Sequence, residues 1–157
     1  MYEYRVKEIV RVIDGDTVDV ILDLGFGLFK KERVRLVGVD TPEKRTRNLK
    51  EKKLGYDATK YAEDWFNNSS GEYEDELIVT TSKDGKYGRM LGKFYRRKKG
   101  FPAPSYCLND LLIKDGFAFE YYGEKKRDMK DVATLELLLA KRGYNNWESY
   151  SEANEAK

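Results

Sequence analysis

The chain has 157 residues, one domain's worth, with aromatic side chains enough to fill a core, and its 30 basic against 28 acidic residues leave a net charge of only +2. Bulk charge therefore marks no polyanion binder, and any such attraction must come from local clusters. Histidine is absent and Cys107 is the single cysteine, which excludes a Ser-His-Asp triad, a Cys-His pair, an internal disulfide and a zinc cage.

Acid–base work in such a chain falls to carboxylates, Tyr, Lys or metal-bound water. Cys107 reads as a small buried apolar residue. The N-terminal Met1-Tyr-Glu-Tyr-Arg-Val-Lys-Glu8 has no apolar run of signal-peptide length, and no stretch is suited to span a membrane. The expectation is a soluble protein with no membrane partner, either cytoplasmic or the mature form of a secreted one.

Residues 3–13 mix Val6, Ile9, Val10, Val12 and Ile13 with charges and read as a long strand. Asp14-Gly15 is a two-residue hairpin signal, because both residues tolerate positive φ. Asp16 to Asp23 returns as a second strand rich in β-branched residues. Gly25 and Gly27 loosen the link to a third strand over 32–39, which Pro42 prevents from continuing.

Lys44 to Lys53 holds one apolar residue and reads as a solvated loop, or as a basic rim that attracts a polyanion. Ala58, Tyr61, Ala62, Trp65 and Phe66 share one face of a helix over 56–67. Two strands follow, 77–82 and 90–97, joined by the glycine-punctuated turn Lys83 to Arg89. A second helix is expected over 106–115 and an aromatic segment over 117–122. A third helix, 128–142, has acidic residues first and basic residues last. Trp147 should tuck against the core, with 151–157 a frayed tail after one domain over 1–150. The order predicts an α+β, mainly β fold: a five-stranded OB-fold-like barrel with three helices.

Three weak signals then coincide at strand ends. Asp16 begins the second strand; Arg35, Asp40, Thr41 and Glu43 end the third; Arg89 closes the Lys86-Tyr-Gly-Arg89 turn. Asp14-Gly-Asp-Thr17, Arg35 through Asp40-Thr-Pro-Glu43 and Lys86-Tyr-Gly-Arg89 together resemble the thermonuclease family, the staphylococcal-nuclease-like domains. Looser similarity runs through Leu108-Asn-Asp-Leu-Leu112, Gly116-Phe-Ala118 and Trp147.

The resemblance implies a calcium-dependent phosphodiesterase cutting DNA and RNA internally, with little base preference and a taste for single-stranded or breathing substrate. It implies Asp16 and Asp40 as carboxylate ligands of Ca²⁺ and Thr41 as a carbonyl ligand. Glu43 would act on the attacking water, while Arg35 and Arg89 grip the phosphate. Lys86 and Tyr87 would contact a terminal phosphate, and Tyr121 and Tyr122 the nucleotide. A monomer with no obligate protein partner is expected. A binding module that keeps only the barrel is the alternative, and the joint presence of the carboxylates and both arginines argues against it.

Overall fold

The computed structural model describes residues 2–67, 75–84, 89–98 and 106–155. Strand β1 (Tyr2–Asp14) is long enough to serve two neighbours. Its inner half pairs antiparallel with β2 (Thr17–Asp23), and its start, Tyr2 to Arg5, pairs with β5 (Asp75–Asp84). Three register shifts along β1 bend it from one partner to the other, as bulges do. Strand β3 (Phe29–Leu36) follows β2, and β6 (Met90–Lys98) follows β5. A parallel seam, Val34–Leu36 against Met90–Gly92, joins β3 to β6 and closes five strands into a barrel. Closure removes the open sheet edges that would otherwise invite pairing with other chains.

Alternation decides which side chains fill the barrel. Val18, Val20 and Leu22 of β2 point inward with Val34 and Leu36 of β3, and all are buried. Asp19 faces the other way and pairs with Arg33 at 2.8 Å. At the far end of this hairpin Phe26 is fully exposed with φ of 56°, between two left-handed glycines.

The third strand is broken where a continuous run over 32–39 is expected. Val37 gives its N–H to Gly92 O, Gly38 takes φ of 80°, and β4 (Gly38–Asp40) leaves the barrel to pair with β8 (Phe119–Tyr121). Buried Asn109 stabilises the break from helix α2 (Leu108–Lys114). Its amide donates to Val37 O at 2.8 Å and Gly92 O at 3.1 Å, and its carbonyl accepts from Phe94 N–H. A two-residue strand, β7 (Tyr106–Cys107), occupies the expected start of that helix, and Cys107 is buried as expected.

Helix α1 (Leu49–Asn67) starts seven residues before the expected Tyr56. Asn48 caps it, its Oδ1 accepting the Glu51 N–H at 2.9 Å. The early turns bury a narrow stripe, Glu51, Leu54, Gly55 and Ala58, which the surrounding lysines mask in a composition-based reading. So half of the expected 44–53 loop is helix.

Among the described residues there are four helices, not the three expected. Helix α3 (Val132–Lys141) is shorter than the 128–142 expected, and α4 (Trp147–Glu155) runs into the segment expected to fray. A second apolar cluster explains the order there. Leu54, Phe119, Met129, Leu135, Leu138, Leu139 and Tyr150 pack together, with Trp147 against them. The Tyr150 hydroxyl donates to Asp57, and Lys50 and Lys53 of α1 sit over the Trp147 and Tyr150 rings. Those two lysines belong to the helix–helix seam rather than to a free basic rim. Among the described residues no helix is long and apolar enough to cross a membrane.

Candidate active site

The barrel brings one end of three segments together. The β1–β2 turn places Asp16, whose carbonyl accepts the Leu36 N–H at 2.8 Å. Thr17 pairs with Arg35 across β2 and β3, so the Asp16 carboxylate and the Arg35 guanidinium lie side by side. Asp40 ends β4 opposite Phe119 of β8. Thr41 follows and gives its N–H to Asp16 Oδ2 at 3.3 Å, fixing the carboxylate that the turn presents.

Gly15 earns its place by size rather than by φ. Its φ is not left-handed, contrary to the turn chemistry expected of Asp14-Gly15. A Cβ there would stand 2.8 Å from Ala58 Cβ and 3.0 Å from Thr41 Cγ2. The turn can thus lie flat against α1 and beside Thr41.

Arg35 is the hub of the site. Nη1 is 2.9 Å from Asp16 Oδ2, and Nη2 is 4.0 Å from Asp40 Oδ1, with the side chain only 16% exposed. Nη2 also donates to Val39 O at 3.3 Å. Despite its short contact, buried Nη1 makes no hydrogen bond, because the N–H directions miss the carboxylate oxygen. Thr41 Oγ1 is also buried without a partner. A buried unsatisfied guanidinium donor is costly unless something completes it. A phosphate oxygen has the charge and the acceptor lone pairs to do so.

Carboxylates crowd the opposite wall. Burial, with Asp16 nearby, raises the proton affinity of both Asp14 and Asp40; Lys126 and Arg35 pull Asp40 back in part. Burial raises Glu43 as well, with Glu51 and Asp14 adding to it. All the donors here are hard oxygens, with no nitrogen or sulfur ligand among them, which suits a cation such as Ca²⁺. Two aspartates and the Thr41 carbonyl fit such an ion in kind. Among the described residues no three or more His, Cys, Asp and Glu side chains form a ready-made metal cage.

Glu43 is positioned by its backbone. Its N–H donates to buried Glu51 Oε2 at 3.2 Å, and Lys44 N–H donates to Asp14 Oδ1 at 3.4 Å. Helix α1 makes room for this segment at Gly55, where a Cβ would stand 2.4 Å from the Glu43 carbonyl carbon. The neighbour is backbone and cannot swing away. Gly55→Ala should gain about 1 kcal/mol of helix propensity and lose about 1–3 kcal/mol to overpacking. Pushing Glu43 by even an ångström should slow cleavage about 10- to 100-fold. Single-turnover rates and thermal melts of the variant read both effects, and a wild-type rate would show that Gly55 does not hold Glu43 in place.

The structure therefore brings Asp16, Arg35, Asp40, Thr41 and Glu43 to one site. Arg89 is exposed just before β6, beside the strand that carries Arg35, and makes no ion pair among the described residues. Lys86 and Tyr87 lie outside the described residues. Tyr121 on β8 pairs with Gly38, and exposed Tyr122 lays its ring over the Gly38 backbone, where a Cβ would meet Cε1 at 3.1 Å. Sequence reasoning missed Asp14, Glu51, Gly55 and Lys126. The available signals were the acidic partner in Asp14-Gly-Asp16, the Asn48–Glu51 capping spacing and a lone glycine inside a helical pattern; Lys126 had none.

Comparison with known proteins gives the family. The model of the family described as staphylococcal nuclease homologue matches residues 33–149. The thermonuclease of Staphylococcus hyicus is 32% identical over 141 residues, covering 89% of this chain and 74% of that protein. The thermonuclease of Staphylococcus intermedius is 34% identical over 150 residues, 92% of this chain and 76% of that protein. The micrococcal nuclease of Shigella flexneri is 29% identical over 121 residues, 74% of this chain. The chain spans 60% of that last protein's length and 44% of an endonuclease of Bacillus subtilis, so it corresponds to part of such relatives.

Proposed function

The chain belongs to the staphylococcal nuclease homologue family, and we propose that it is a calcium-dependent endonuclease hydrolysing DNA and RNA phosphodiesters. The observation that carries this reading is Arg35: a half-buried guanidinium between Asp16 and Asp40, whose buried Nη1 lacks a hydrogen bond. Asp16 and Asp40 would hold Ca²⁺ through their carboxylates and Thr41 through its carbonyl, and the bound ion would supply Lewis-acid polarisation of the scissile phosphate. Glu43, whose proton affinity is raised by burial and by Glu51, takes the proton of the attacking water as the water oxygen bonds to phosphorus. One P–O ester bond breaks as the new bond forms. Arg35 and Arg89 donate to the equatorial oxygens that gain charge in the transition state.

Lys86 and Tyr87 serve a terminal phosphate, and Tyr121 and Tyr122 offer ring faces to unpaired bases, which favours single strands and breathing ends. The protein works as a monomer. Lys44, Arg45 and Arg47 precede α1 and lead the substrate backbone to Glu43. Binding of a single-stranded oligonucleotide to Glu43→Gln should therefore weaken steeply with salt, by roughly the number of phosphates neutralised on a log–log plot. A slope near zero would remove the backbone contacts and with them the polyanion reading.

A further inference from the structure

Between β8 and α3 the chain runs through Gly123-Glu-Lys-Lys-Arg-Asp-Met-Lys130. One residue of this loop enters the carboxylate wall: Lys126 Nζ is 3.5 Å from Asp40 Oδ1 and 5.4 Å from the centre of the Tyr121 ring. The two partners differ in freedom. The Asp40 side chain is only 10% exposed, whereas that of Lys126 is 53% exposed. Space for it to move is at hand, because Lys126 lines a cavity of about 330 Å³ together with Asp40, Thr41 and Glu43. A second, of about 270 Å³, opens from Asp40 towards Tyr121 and Lys125.

Arg35 and Lys126 thus share Asp40 Oδ1, but they are held differently. Arg35 is half-buried and tied to Val39 O, while Lys126 carries a compact charge on a flexible four-carbon stem. A divalent cation bound to Asp40 would meet the ammonium at short range, and like charges at that distance repel. Lys126 is the partner able to leave. A phosphate entering beside the cation brings acceptor oxygens that the displaced ammonium can take.

We propose that Lys126 is an exchangeable counter-cation: it neutralises Asp40, competes with a divalent ion for that carboxylate, and transfers its ammonium to the substrate phosphate when the ion is seated. This rests on the assignment of Asp40 as a metal ligand made above. Its consequence is coupling. Lys126 weakens Ca²⁺ binding alone and strengthens it when a nucleic-acid strand is present, and by linkage the strand gains equally from the ion.

The test is calorimetric titration of Ca²⁺ into Glu43→Gln, and into that variant carrying Lys126→Met or Lys126→Arg, each with and without a short single-stranded DNA oligonucleotide. Thermal melts confirm that the variants are folded. Lys126→Met should bind Ca²⁺ about threefold tighter or more without the oligonucleotide and lose most of the tightening that the oligonucleotide brings. Lys126→Arg, which keeps the charge, should retain the competition. Equal or weaker Ca²⁺ binding by Lys126→Met would overturn the proposal while leaving the nuclease reading intact. A parent protein that binds no Ca²⁺ at all would overturn both.

Discussion

Arg89→Lys should melt at the wild-type midpoint, bind an oligonucleotide within about tenfold of wild type, and cleave about 100- to 1,000-fold more slowly, the cost of losing one oxyanion donor. Arg89 is exposed and makes no ion pair among the described residues, so the fold loses nothing when it changes. It immediately precedes Met90, which pairs in the parallel seam with Val34, the residue just before Arg35 on β3. The two arginines thus come from neighbouring strands of a closed barrel, one buried against Asp16 and one free to meet substrate. Lysine keeps the charge but not the planar fork, so it attracts a phosphate without matching two equatorial oxygens at once. Ground-state binding survives through Arg35 and the basic residues around the site, and the transition state carries the loss. Melting, binding and single-turnover cleavage separate these terms. Wild-type cleavage by this variant would leave Arg89 as a surface charge.

Much of this was legible in the chain itself, because the decisive residues sit where local patterns end. Alternation through Val18, Val20 and Leu22, and Pro42 after Thr41, mark where strands stop, and Asp16, Asp40 and Glu43 fall at those stops. The helical face Ala58, Ala62 and Phe66 is buried as its spacing requires. What could not be read depends on contacts far apart in sequence. The break at Val37 is sealed by Asn109, 72 residues away, and no local pattern anticipates that hydrogen bond. Lys126 reaches Asp40 only because β4 pairs with β8.

Charge masked the rest. The first turns of α1 bury Glu51 and Leu54 amid Lys50, Lys52 and Lys53, so composition there argues for loop while the Asn48 cap and the narrow apolar stripe make a helix. At the C-terminus, Tyr150 is fixed by Asp57, itself paired with Arg142 at 3.0 Å. An amphipathic α4 therefore stays ordered where a polar tail would fray.

Removing the metal should have the largest effect of all. Burial first, and neighbouring carboxylates including Asp16 after it, raise the proton affinity of Asp14, Asp40 and Glu43, so this end of the barrel concentrates acidic groups that Arg35 and Lys126 offset only in part. A divalent cation relieves the repulsion, and Ca²⁺ should raise the melting midpoint of the wild-type protein. Two aspartates and a carbonyl form an open, flexible oxygen set, which Ca²⁺ accepts and which Mg²⁺, needing near-ideal octahedral geometry, tolerates poorly. With the ion absent, the water that Glu43 deprotonates would face an unpolarised phosphate, however well Arg35 and Arg89 hold the strand. The direct measurement is single-turnover cleavage of an end-labelled single-stranded oligonucleotide by the wild-type chain in chelator, followed by Ca²⁺ or Mg²⁺ added back. The account predicts no product in chelator, full recovery with Ca²⁺ and little with Mg²⁺; undiminished cleavage in chelator would contradict it.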